Sequence, residues 1–169
     1  IMYMNDPKRA GFVLRLLPLL IHFNHPFLPW YHEEDNCPSG IKNMERPSDG
    51  KLDILSMLPE IITPKSIQEC VPRVREIEAL FTIGSLGSVG ETKDSDCDIW
   101  VVVDSGSITH VRMELLRAKL EAISRWVGSV HNIETYFFLL DVNDIKNNMF
   151  GSISHEGAGT SLKSLLKEE

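Results

Sequence analysis

Gly84-Ser85-Leu86-Gly87-Ser88-Val89-Gly90-Glu91-Thr92-Lys93-Asp94-Ser95-Asp96-Cys97-Asp98 separates two apolar runs, Ala79-Leu80-Phe81-Thr82-Ile83 before it and Ile99-Trp100-Val101-Val102-Val103 after it. Short runs of β-branched and aromatic residues bounded by Gly, Ser and Asp read as strands. Asp96 and Asp98 lie two apart at the start of the second run, and strand alternation sends both carboxylates to one face. Two carboxylates so close repel each other unless a cation sits between them. A pair of divalent metals is the usual remedy and is the arrangement that moves phosphoryl or nucleotidyl groups. A polar hairpin with solvated aspartates is the plain alternative.

The turn between the strands has its own chemistry. Gly84 lets the backbone approach a phosphate with no side chain in the way, and Ser85 adds a hydroxyl donor. Residues Leu86 to Val89, Ser88 among them, are placed to open a short helix whose free N–H groups face an anion. Lys93 is a candidate phosphate ligand in the same loop, against the alternative of a solvated lysine. Two metals generally want a third carboxylate, and Glu134 is the candidate. It stands near the start of Ile133-Glu134-Thr135-Tyr136-Phe137-Phe138-Leu139-Leu140-Asp141, a run read as a buried strand. Beside the Asp-x-Asp strand it would bring Glu134 to the same metal. Asp141, at the far end, is expected to cap the following loop.

Ile83-Gly84-Ser85, Ser88-Val89-Gly90 and Ser95-Asp96-Cys97-Asp98-Ile99-Trp100-Val101 resemble the catalytic core of class I adenylate cyclases, members of the polymerase-beta-like nucleotidyltransferase superfamily. His22-Phe23-Asn24-His25-Pro26, with Pro29, Tyr31, Pro38 and Gly40-Ile41, resembles that family's N-terminal segment. Phe137-Phe138-Leu139 with Asp141 and Asn143, then Gly151-Ser152, continue the likeness in the same order. The resemblance implies conversion of ATP to 3′,5′-cyclic AMP and pyrophosphate. It gives Asp96 and Asp98 the metal-binding role and Gly84 and Ser85 the triphosphate. Ser88 and Lys93 are counted with the triphosphate, and Glu134 completes the carboxylate set. The implied cofactor is two magnesium ions, with manganese as the alternative. The same carboxylates would serve transfer of a nucleoside monophosphate to a separate acceptor, or persist in a nucleotide-binding module of little activity.

The whole chain bounds these readings. Its 169 residues, 43% apolar and 24% charged, fit one globular domain with a proper core. A net charge of −7 without a basic block argues against a long nucleic acid as partner. Cys37, Cys70 and Cys97 are scattered and odd in number, which fits a reducing cytoplasm. His22, His25, His32 and Cys37 are too loosely spaced for a zinc set and are expected to make local hydrogen bonds. The apolar run Phe12 to Phe23 contains Arg15 and Pro18 and is too short for a membrane span. It reads as a proline-kinked core helix burying Phe12, Leu16, Leu19, Leu20 and Phe23.

The layout expected is an α+β nucleotidyltransferase fold, a mixed sheet with packed helices. A helical and loop part covers residues 1–78, a catalytic core 79–141, and a loop with a truncated helix 142–169. Within it, helices are expected at 8–24, Leu52–Leu58, Ile67–Leu80 and Thr109–Val127, the last presenting Val111, Leu115, Leu116, Leu120, Ile123, Trp126 and Val127. A first residue that is Ile, and a stop inside a helix opening at Thr160 or Ser161, suggest a piece of a longer protein.

Overall fold

The computed structural model describes residues 7–26, 28, 30, 31, 37–44, 71–83 and 95–147. Three contiguous helical segments, Pro7–Gly11, Phe12–Leu16 and Leu17–His22, together form α1. The middle one is π-helical, with the Leu17 N–H reaching back to Phe12 O. Pro18 has no N–H to offer the turn before it, and the wide turn takes up the mismatch. The proline irregularity expected in this helix therefore takes the form of a π turn. Phe12, Leu16, Leu19, Leu20 and Phe23 are all buried, as the helical spacing requires.

The chain after α1 is tied down by buried polar groups. His22 Nδ1 accepts the Ile41 N–H at 3.0 Å, and the Gly40 N–H donates to His22 O at 2.9 Å. Gly40 sits at φ +74°, where an added Cβ would lie 2.6 Å from the Val74 carbonyl oxygen. A glycine is needed on both counts. The helix expected over Ile67–Leu80 is corrected here. Residues 67–70 lie outside the described part, residues 71–76 are irregular, and Ile77–Ile83 form strand β1. Pro72 lacks a helical donor, and the backbone of Glu76 and Ile77 is claimed by a segment far upstream. Glu76 N–H donates to Ser39 O and Ile77 N–H to Gly40 O, both at 2.9 Å, while Lys42 N–H donates to Ile77 O at 2.8 Å.

Strand β2, Cys97–Val103, lies between β1 and β3, Thr135–Asp141. It pairs antiparallel with β1 and parallel with β3. The parallel pair needs a crossover, supplied by α2, His110–His131. This is a mixed α+β arrangement. Cys97, Ile99, Val101 and Val103 alternate onto one sheet face and join the core with α1 and with Met113, Leu116, Leu120, Ile123 and Val127 of α2. Trp100, Val102 and Leu140 point the other way and are buried apart from that cluster.

Helix α2 runs a turn longer than expected, and its buried stripe is rotated. Val111 is 70% exposed, and Met113 takes its place in the core. Lys119, on the same stripe, is fully buried. Its ammonium donates to Ile21 O at 2.9 Å and Phe23 O at 2.6 Å, capping the carbonyl end of α1. Asp141 caps as expected, accepting from Asn143 N–H at 2.6 Å at the start of the short helix α3, Val142–Lys146, and from Ser105 N–H at 2.7 Å. Burial pushes its pKa up, but those hydrogen bonds outweigh it and hold the carboxyl below its ordinary value. The helices expected at Leu52–Leu58 and from Ser161 onward lie outside the described residues.

Candidate active site

The parallel register decides which carboxylates meet. Cys97 is level with Thr135 and Asp98 with Tyr136. The Cys97 N–H donates to Glu134 O at 2.8 Å, which sets Glu134 beside Asp96 at the same end of the neighbouring strand. Cys97 and Thr135 turn inward and are buried. Alternation then turns Asp96, Asp98, Glu134 and Tyr136 outward onto the opposite face. The three acids singled out from the sequence thus share one face at one end of two adjacent strands. Arg9 of α1 fixes the approach: its guanidinium donates to the carbonyl of Ser95, 86 residues along the chain and directly before Asp96.

Electrostatics follow from this crowding. Asp98 is raised from its ordinary value, first by partial burial and then by the charge of Asp96. The Tyr136 phenol, held at 3.3 Å from Glu134 Oε2, is raised by the charge of Glu134, then by Asp96, and further by its hydrogen bond to Glu134. Among the described residues no lysine or arginine pairs with Asp96, Asp98 or Glu134. Among the described residues this is a like-charge cluster without an ion-pair partner, and its all-oxygen donor set suits a hard divalent cation.

The acids do not converge to ligand distance. Among the described residues no group of three His, Cys, Asp or Glu side chains lies close enough together to hold a metal. His22 instead accepts the N–H of Ile41, 19 residues along the chain, rather than making the local hydrogen bond expected, while His32 lies outside the described residues. Gly84, Ser85, Ser88 and Lys93 lie outside them as well. A cavity of about 690 Å³ opens at the other end of β1 and β2, lined in part by His25, Tyr31, Arg73, Glu76 and Arg112. It contains none of the three acids.

Sequence reasoning passed over Tyr136, Arg9 and Lys119. Tyr136 was readable by strand alternation, which puts it on the face of Glu134 two residues earlier. Arg9 and Lys119 carry no local signal, since both act on backbone carbonyls distant in sequence.

Comparison with known proteins places this chain in a family. The chain matches the family described as "Adenylate cyclase NT domain" over residues 2–169. It is 34% identical over 157 residues to an adenylate cyclase of Escherichia coli strain K12, covering 93% of this chain and 18% of that protein. An adenylate cyclase of Salmonella typhimurium strain LT2 matches with the same identity and coverage. One of Yersinia pestis is 31% identical over 160 residues, again 93% of this chain and 18% of the relative. No solved structure matches. The chain belongs to the adenylate cyclase N-terminal domain family. It spans about 18% of the length of the curated relatives it matches. No helix among the described residues is long and apolar enough to cross a membrane.

Proposed function

We propose that this chain carries the catalytic face of an adenylate cyclase, a nucleotidyltransferase-fold domain that converts cytoplasmic ATP to 3′,5′-cyclic AMP and pyrophosphate. The observation that carries the reading is the placement of Asp96, Asp98 and Glu134 at one end of β2 and β3 in a chain of this family. Cyclisation joins the ribose 3′-oxygen to the α-phosphorus, breaks the bond to the α–β bridging oxygen, and releases pyrophosphate and one proton. Asp96, Asp98 and Glu134 would hold two divalent ions, magnesium or alternatively manganese, which when bound activate the 3′-hydroxyl and neutralise the leaving pyrophosphate. Gly84, Ser85, Ser88 and Lys93 would receive the triphosphate. The attack is intramolecular, so the residues around the nucleotide chiefly hold the 3′-oxygen in line behind the α-phosphorus.

The test is to incubate the intact protein with ATP and magnesium and separate cyclic AMP, adenylylated acceptors and unreacted ATP. Cyclic AMP is the expected product, and Asp98→Asn abolishes it. That variant keeps its fold and gains stability without metal, because neutralising Asp98 removes its repulsion with Asp96. Transfer of AMP to an acceptor in place of cyclisation would overturn the cyclase reading. Near-native activity of Asp98→Asn would overturn the assignment of the acidic face.

A further inference from the structure

We infer that Tyr136 is a positioning residue for Glu134, its phenol hydroxyl directing the Glu134 carboxylate toward the aspartates. The inference rests on the cyclase reading, in which Glu134 serves the attacking hydroxyl. Three observations meet at this side chain. Alternation puts Tyr136 on the face of Glu134, and the register sets it level with Asp98 on the neighbouring strand. Its hydroxyl donates to Glu134 Oε2 at 3.3 Å. The residue is 48% exposed, so core packing does not account for a large aromatic there.

The residue type fits the task. A lysine at this position would compete with a metal for the carboxylates, and a further acid would add to the repulsion. A neutral phenol gives Glu134 a hydrogen bond without altering the charge of the face. Its rigid ring has only two side-chain torsions to fix. At 3.3 Å the bond is long for a hydroxyl donor, so it restrains the carboxylate without locking it. The acids stand farther apart than metal ligands do, and a ligand that must close on its partners is better guided than clamped. Removing a hydrogen-bond partner of a metal ligand typically weakens metal affinity or activity by roughly 10–100-fold.

The experiment measures manganese binding to the intact protein by electron paramagnetic resonance, with a non-reactive ATP analogue present, alongside steady-state turnover. Wild type is expected to bind manganese in a manner abolished by Asp98→Asn. Tyr136→Phe is expected to weaken that binding roughly tenfold, at the gentler end of the range for such partners. Its kcat falls by a similar factor while KM for ATP is unchanged, and Tyr136→Leu is no worse. In a Glu134→Gln background, Tyr136→Phe has no further effect, because the group it positions is gone.

Wild-type behaviour of Tyr136→Phe in binding and kcat would overturn the inference and leave the cyclase reading standing. So would a defect confined to Tyr136→Leu, or a rise in KM alone, either of which makes the ring a nucleotide contact. Manganese binding indifferent to Asp98→Asn would instead overturn the cyclase reading, and this inference with it.

Discussion

Replacing Lys119 with methionine should change how stability varies with pH more than it changes stability at pH 7. Lys119 is fully buried, and desolvation brings its pKa down from 10.5 to about 8, against a weaker upward pull from Cys37. From about pH 8 to 10.5 the unfolded chain keeps this proton and the folded protein has lost it. Stability contributed by this group therefore rises with pH across that window. At about 1.4 kcal/mol per pH unit the rise is roughly 3 kcal/mol. Methionine fills a similar volume and does not titrate, but it leaves Ile21 O and Phe23 O without their donor. Each orphaned carbonyl costs about 1–3 kcal/mol, offset at pH 7 by the buried charge that is no longer there. Lys119→Met is thus expected to lie between about 1 kcal/mol more stable and about 3 kcal/mol less stable than wild type at pH 7, with the balance shifted roughly 3 kcal/mol toward destabilisation near pH 10.5. Urea titrations of both proteins across pH 7–10.5, followed by circular dichroism, read this directly. A gap that stays constant with pH would refute the reasoning, since a charge buried at a cost must show that cost on titration.

His22 should act at the acid end of the same junction. Burial, with the charges of Arg75 and Lys119, lowers its pKa from 6.5 to about 4, so stability present above pH 6.5 is lost as pH falls toward 4. The loss is roughly 3 kcal/mol and is absent from His22→Gln in urea titrations over that range. Gly40→Ala combines a left-handed φ with a close approach to the Val74 carbonyl and is expected to cost about 1–3 kcal/mol, seen as a lowered urea midpoint. Glu134→Gln should depress kcat for cyclic AMP formation far more than it raises the dissociation constant of the ATP analogue in calorimetry. Loss of nucleotide binding with normal turnover at saturation would contradict the role given to that carboxylate.

The legible parts of the fold were those fixed by local periodicity. Strand β2, the run containing β3, the helix α2 and the buried stripe of α1 all follow from spacing, and so does the common face of Asp96 and Asp98. The placement of Glu134 came from its position at the start of a run read as a strand, plus the assumption, met here, that this strand lies next to β2. What failed was set by distant partners. Ile77 to Leu80 look helical in isolation, yet Gly40 and Lys42 take the Ile77 backbone into paired structure. The helical phase of α2 was misread at its first turn, where Val111 faces solvent and Met113 faces the core. A lysine on an apolar stripe is assigned to water by any local rule. Lys119 escapes it because α1 ends against α2 and presents two carbonyls.

The parallel pairing of β2 and β3 has an electrical consequence. The connecting helix must run antiparallel to the strands, so α2 finishes at His131, with Asn132 in the left-handed conformation and Ile133 the only residue left before Glu134. A helix ends in a partial charge of roughly −0.5. The acids therefore cluster at the amino ends of the parallel strands, beside the negative pole of a 22-residue helix. Open parallel sheets commonly receive anionic ligands at the opposite, carboxyl ends. The negative pole and the described acids together disfavour a bare anion at this edge. On the proposed function, this edge would favour a polyphosphate already loaded with its divalent ions.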